Sequence, residues 1–258
     1  MRSLNSTNSI FNRNRRVDSN TRSEHRLLAA NLARQHAAKP SYFQPDSWLS
    51  TEDACLLLRK HANAAAHTQD YTLAVKLFDR LIGYEPRNAS HYANRGLMHY
   101  SLAQVEKALA DYNQALEIAP TLDKVYNNRA NLQATQQNWE VAIADYDRAI
   151  DLNPLNLRAR INQAITFREM GHYEEALACL DIAMFFQSDS VVLHATIYAE
   201  RGRTYHLQGD WNCAIADYKQ ALLKLQASDL NCQQVALAEF ARHHRLSHRV
   251  RRWISSLM

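Results

Sequence analysis

Residues 126–154 read YNNRANLQATQQNWEVAIADYDRAIDLNP. In the second half of this stretch Ala142, Ile143, Tyr146, Ala149 and Ile150 fall at i, i+1, i+4, i+7 and i+8. That spacing is one apolar stripe of an α-helix. In the first half Tyr126, Ala130 and Gln133 share a face. The polar run Thr135-Gln136-Gln137-Asn138 lies between the two. The second segment ends at Asp151-Leu152-Asn153-Pro154, because proline cannot continue a helix. The stretch therefore predicts two helices joined by a tight turn. Two helices that cross closely need Ala or Gly where their backbones nearly touch, and an aromatic such as Tyr146 fills the space where the pair splays.

The same pattern recurs along the chain. Ala110-Asp111-Tyr112, Ala144-Asp145-Tyr146 and Ala216-Asp217-Tyr218 are each followed, after two residues, by Ala and then Leu or Ile. Upstream of each lies a triplet that ends in a small residue, at Gly96, Ala130 and Gly202. The first alanine of the second helix recurs as Ala74, Ala108, Ala142, Ala176 and Ala214, at spacings of 34, 34, 34 and 38. A helical hairpin of this length cannot bury its apolar face alone, so successive hairpins must stack. The last spacing carries four extra residues, within about Gln187 to His194. They are expected to widen the loop between the fourth and fifth units.

This pattern resembles the tetratricopeptide repeat family: period 34, helix–turn–helix, a small residue in the first helix, Ala-x3-aromatic in the second, and a closing proline. The resemblance covers about residues 51–226, as five units. The helix A small residues are Ala62, Gly96, Ala130, Ala164 and Gly202. The aromatic is Phe78, Tyr112, Tyr146 and Tyr218, with Leu180 departing. The later alanine is Ala115, Ala149, Ala183 and Ala221, with Leu81 departing. The proline is Pro86, Pro120 and Pro154, with Ser188 and Gln226 departing. The resemblance implies an all-α fold, a right-handed superhelix of five repeats whose A helices line a concave groove and whose B helices form the back. Residues 227–258 would supply a C-terminal capping helix, with Leu246, Val250, Trp253, Ile254 and Leu257 on its apolar stripe.

Composition agrees with a helical chain. The 258 residues include only 5 Gly and 5 Pro, which argues against a turn-rich all-β fold or a collagen-like chain. No stretch approaches the roughly 18 apolar residues of a membrane span, and no apolar run follows the basic N-terminus to make a secretory signal. Cys55, Cys179, Cys213 and Cys232 form no CxxC pair, so neither a zinc site nor a dithiol redox site is expected. His244 and His248 lie i, i+4 but lack a third ligand in spacing. No Gly-rich phosphate loop or HExxH motif occurs. The expectation is therefore a binding protein, not an enzyme, with no cofactor. Four separate thiols fit a cytoplasmic setting, with organelle import or peripheral membrane association as the alternatives.

Residues 1–45 hold eight Lys and Arg against two acids. They read as a mostly disordered basic tail, with a short helix over Ser23 to Ala38. Three roles are open to the tail: solubilisation, contact with nucleic acid or an acidic partner, or a transit segment.

Net charge is +4, but it is unevenly spread. Over residues 55–68, 89–102, 123–136, 157–170 and 195–208, the A helices, basic residues number ten and acids three. Over the following eighteen residues of each unit, the B helices, they number six and fifteen. With the groove geometry that the resemblance implies, the inner face is positive and the back negative. A positive groove favours an acidic segment or a free carboxylate. Some cochaperones of the family hold a partner's C-terminal carboxylate with two Asn and three basic residues. Arg59, Asn63, Asn94 and Lys124 match that set in type, while Asn128 stands where the family has a basic residue. Arg158, Arg168 and Arg203 would extend the positive lining, Asn162 would continue the asparagine ladder of Asn94 and Asn128, and Tyr100 and His206 would provide stacking or apolar contact. The resemblance thus implies a scaffold, cochaperone or assembly factor that binds an extended acidic or C-terminal peptide. A nucleic-acid partner held by the basic termini is the other class.

Overall fold

The computed structural model describes residues 50–186, 190–230 and 237–256. The tail over 1–45, the short helix within it, and Leu257 lie outside them. Among the described residues the helices are α1 (Thr51–His67), α2 (Tyr71–Tyr84), α3 (Ala89–Ser101), α4 (Val105–Ile118), α5 (Asp123–Thr135), α6 (Trp139–Leu152), α7 (Leu157–Glu169), α8 (Tyr173–Phe185), α9 (Val191–Gln208), α10 (Trp211–Leu230) and α11 (Leu237–Ser255). No strand occurs among these residues. From Thr51 onward they form one compact unit.

Local chemistry sets the helix ends. Asp70 and Asn156 each accept a backbone N–H three residues on, at 3.0 and 3.1 Å, and Asn88 accepts that of Ser90 at 3.1 Å. Such caps satisfy donors that a helix start leaves open. Gly209 closes α9 with φ of 95°, the left-handed region that glycine enters without strain.

The helices pair as α1–α2, α3–α4, α5–α6, α7–α8 and α9–α10, and each pair packs on the next. The odd-numbered A helices also touch the A helix of the next unit, at α3–α5, α5–α7 and α7–α9. This places the A helices on the inner side of the stack. Tyr112, Tyr146, Tyr218 and Phe78 are the largest buried side chains. A Cβ on Gly96 would stand 2.9 Å from the Tyr112 ring, and one on Gly202 would stand 2.8 Å from the Tyr218 ring. At Gly96 the small residue therefore makes room for the tyrosine of its own hairpin. Sequence reasoning placed that requirement between two backbones. At Gly202 the Ala214 carbonyl, at 3.1 Å, adds a backbone contact as well.

The four extra residues are taken up within α9. Gly202 lies eleven residues after the start of α9, while Gly96, Ala130 and Ala164 each lie seven residues after the start of theirs. The four residues form about one more turn of helix. At the far end, Leu246 and Val250 of α11 are buried against Ala195, Tyr218 and Leu225, with Trp253 and Ile254 packed alongside.

Candidate peptide-binding groove

Much of the positive charge on the A helices is already spent inside the fold. Arg95 donates two hydrogen bonds to Asp111, at 2.9 and 2.6 Å, and one to Asp79 at 2.7 Å. Arg129 does the same to Asp145, at 2.8 and 2.7 Å, and to Asn113 at 2.7 Å. Arg201 does so to Asp217, at 2.7 and 2.8 Å, and to Asp181 at 2.7 Å. Each guanidinium also lies over a tyrosine one turn earlier, Tyr92, Tyr126 or Tyr198. The recurring Arg and the Asp of Ala-Asp-Tyr are thus one structural device. It ties each A helix to its own B helix and to the B helix before it. The hydrogen bonds to Asp111, Asp145 and Asp217 raise the three arginines above their ordinary values.

The expected contrast between a positive inner face and a negative back is corrected accordingly. Three of the counted arginines neutralise buried aspartates of the B helices. Arg168 departs from the expected lining too. It is 8% exposed and bonds Glu200, itself 1% exposed, at 2.7 Å. Glu200 also accepts from Arg249 of α11 at 2.8 Å.

Three of the expected groove residues meet in one place. Asn128 on α5 and Arg158 and Asn162 on α7 line a pocket of about 380 Å³, together with Asn127, Asn131, Ile161, Ser190, Val192, Leu193 and Thr196. Its walls come from α5, α7 and the first turns of α9, three successive A helices. Asn162 Nδ2 donates to Asn127 Oδ1 at 3.0 Å, and Asn127 Nδ2 donates to Asn128 Oδ1 at 3.3 Å. The Tyr146 hydroxyl donates to Asn131 Oδ1 at 2.7 Å; burial pushes that phenol up to about 12. Arg158 is exposed and makes no ion pair with a described residue.

The other expected residues do not line this pocket. Asn63, Asn94 and Lys124 are exposed on α1, α3 and α5. Arg59 lies 3.5 Å from Glu85. Arg203 lies 5.6 Å from the Trp253 ring of α11, and His206 sits against Trp211. A wider hollow of about 730 Å³ lies between the loop at Glu85–Ser90 and Ile118–Leu122. It holds none of the expected groove residues. Among the described residues no group of three or more His, Cys, Asp or Glu is placed to hold a metal ion; the side chains of His243 and His244 lie outside them.

Sequence reasoning missed Asn127, Asn131, Val192, Leu193 and Thr196. The doublet Asn127-Asn128 was a signal for the first. The 38-residue spacing was the signal for Val192 and Leu193, once the insertion is read as helix.

Residues 59–123 and 123–156 match two models described as tetratricopeptide repeat. Residues 59–156 are tetratricopeptide repeats. Among curated relatives, the Protein SGT1 homolog of Oryza sativa subsp. japonica is 36% identical over 69 residues, 27% of this chain and 19% of that one. The Protein STIP1 homolog of Dictyostelium discoideum is 38% identical over 68 residues, 26% of this chain and 12% of that one. The matched repeats thus span under one fifth of each relative's length. Among solved structures, the crystal structure of MamA protein aligns over 72% of this chain and 99% of its own, at TM-score 0.54 and 15% identity. MamA 41-end from Desulfovibrio magneticus RS-1 aligns over 70% and 99%, at TM-score 0.58 and 11% identity. At such identities the likeness is one of fold. No helix among the described residues is long and apolar enough to cross a membrane.

Proposed function

We propose that this tetratricopeptide repeat protein is an interaction scaffold or adaptor that acts by binding and not by catalysis. An extended acidic or C-terminal segment of a partner lies along the inner A-helix face. The observation that carries this reading is the pocket between α5, α7 and α9, where four asparagines meet Arg158, a cation that makes no ion pair with a described residue. Lys124 and Arg158 remain free among the described residues after the structural ion pairs are set aside. Asparagine can both donate to and accept from a peptide backbone, and a guanidinium can hold a carboxylate. Part of the C-terminal carboxylate clamp is present in type: Arg59, Asn63, Asn94 and Lys124. The fifth place holds Asn128, which brings no charge. The repeats shared with the SGT1 and STIP1 homologs support a cochaperone or assembly role.

The test is titration of acidic peptides against the wild-type chain and the Lys124→Glu, Arg158→Glu double variant. Affinity and its salt dependence are both expected to fall. Unchanged affinity with unchanged salt dependence rejects the reading.

One observation favours a second reading. Arg245, Arg251 and Arg252 stand exposed on α11, with Leu246 and Val250 buried beneath it. A face of this kind suits the phosphates of RNA. Retention of RNA on a filter is then expected to weaken as Arg245, Arg251 and Arg252 are changed to Gln, and to survive the groove variant.

A further inference from the structure

The added helical turn of α9 is not needed to continue the stack, because α3, α5 and α7 pack without one. It lies at the pocket: Val192 and Leu193 belong to it, and Thr196 follows one turn on. We propose that this turn closes part of the A-helix face into a subsite for one carboxylate side chain with an apolar neighbour, presented by an extended segment of a partner protein. The proposal rests on the groove reading above and adds what the groove selects and where.

Charge sets the first requirement. Arg158 is the one charged side chain among the described residues that line the pocket. It makes no ion pair with any of them, so one anion completes it. A second carboxylate at the same place would find no further cation among the described lining residues, and shedding its water without a partner is unfavourable. The subsite therefore selects a single acid and disfavours a run of acids.

The asparagines set the second. The bonds Asn162 to Asn127 to Asn128 line up three amides head to tail. Asn128 Nδ2 is left as a donor at one end and Asn162 Oδ1 as an acceptor at the other. Flipping all three amides reverses the direction and still leaves one donor and one acceptor. A bound backbone offers the complementary pair, one carbonyl and one N–H. Extended backbone leaves both groups free, whereas a helix uses them internally.

The apolar wall sets the third. Ile161 is buried, and Val192 and Leu193 are half-buried at the pocket surface. An aliphatic side chain laid on them leaves water, which a second polar side chain would not do favourably. The part of the wall built by the added turn is peculiar to α9, since α3, α5 and α7 carry no such turn.

The experiment uses the full 258-residue chain and acetylated, amidated heptapeptides, random except for Glu-Leu at the centre. Binding is measured by titration calorimetry, and folding of each variant is checked by circular dichroism. Arg158 is exposed and Val192 half-buried, so Arg158→Gln and Val192→Asp are expected to fold. Each is expected to weaken binding at least tenfold. The same peptides with Gln-Leu at the centre should bind wild type with a similar loss, and the Arg59→Gln, Lys124→Gln pair, which belongs to the wider groove and not to the subsite, should weaken binding less than Arg158→Gln does. Loss on that pair with none at Arg158 and Val192 overturns the subsite and leaves the groove reading standing. Tighter binding of an all-acid heptapeptide than of Glu-Leu has the same meaning. Failure of every peptide, the all-acid one included, to bind at about 1 mM overturns the subsite and the groove reading together.

Discussion

From α3 to α6 the same guanidinium stitch joins each A helix to its B helix, whereas between α7 and α8 Gln163 and Cys179 stand in its place. Gln163 donates to Asp147 at 2.6 Å, and the Cys179 thiol reaches Gln163 Oε1 at 3.5 Å. The fourth unit has thus exchanged an ionic stitch for a neutral one. The same stretch carries the departures from the repeat: no closing proline, an added turn in α9, and a triad in which buried Arg168 and Glu200 reach exposed Arg249 of α11. The pocket opens where the regular half gives way to the irregular one. Regular repeats position helices, and a local exception to the repeat shapes a site between them.

The sharpest way to break that contrast is in the triad. Glu200→Gln leaves the buried Arg168 with only the exposed Glu169, 3.3 Å away, as counter-charge. Breaking a buried pair by removing one partner costs about 3–5 kcal/mol. A large fall in the denaturant midpoint is expected, together with loss of amide-exchange protection in α11. The double replacement Arg168→Met, Glu200→Met should recover much of the loss, because well-packed apolar groups of similar size need no partner. If Glu200→Gln is as stable as wild type, the triad is not what holds the irregular half together.

The next effect compares the two kinds of stitch. Arg129→Ala strands Asp145, which is 6% exposed, and removes three hydrogen bonds from the guanidinium, two to Asp145 and one to Asn113. A cost of about 2–4 kcal/mol is expected. Gln163→Ala removes one bond to Asp147 and should cost only about 1 kcal/mol. Both are read from urea unfolding of otherwise identical chains. Equal losses would mean that the ionic and neutral stitches do the same work, and the contrast between the halves would reduce to the insertion alone.

The fold was legible because its signals are local and repeated. Ala142, Tyr146 and Ala149 declare a helix stripe without reference to anything distant, and a period of 34 multiplies that signal. The site was legible only in part. Asn128, Arg158 and Asn162 were found because they sit at corresponding places on successive A helices. Arg95, Arg129 and Arg201 were counted toward the groove because a formal charge carries no record of its partner sixteen residues on. The pairing was nonetheless written in the sequence, since the Arg of each triplet and the Asp of each Ala-Asp-Tyr recur together. Where the Arg becomes Gln163, the Asp becomes Cys179. The pocket wall stayed hidden for a different reason. Four extra residues fit a longer loop or a longer helix equally well by count. Packing against α7 decides the outcome, and packing is not a local property.

The smallest effect lies in the regular half and depends on pH. Glu85 accepts hydrogen bonds from buried His91 and, at 2.9 Å, from Asn88, and Arg59 lies 3.5 Å away. These bonds, His91 first and Asn88 second, hold its carboxyl below the ordinary value of 4.5. A lowered carboxylate contributes stability that is complete above its unfolded value and is lost as pH falls through its folded one. Wild type should therefore exceed Glu85→Gln in stability at neutral pH by a small margin, because the carboxylate is partly exposed and screened. The margin should close as pH falls below about 4.5. A margin that persists unchanged to pH 3 would assign it to shape and not to charge. The same variant sharpens the comparison of the two halves of the face, since it frees Arg59. Glu-Leu peptides held at Arg158 should bind Glu85→Gln as they bind wild type, whereas a segment held by the α1 and α3 residues should bind it more tightly.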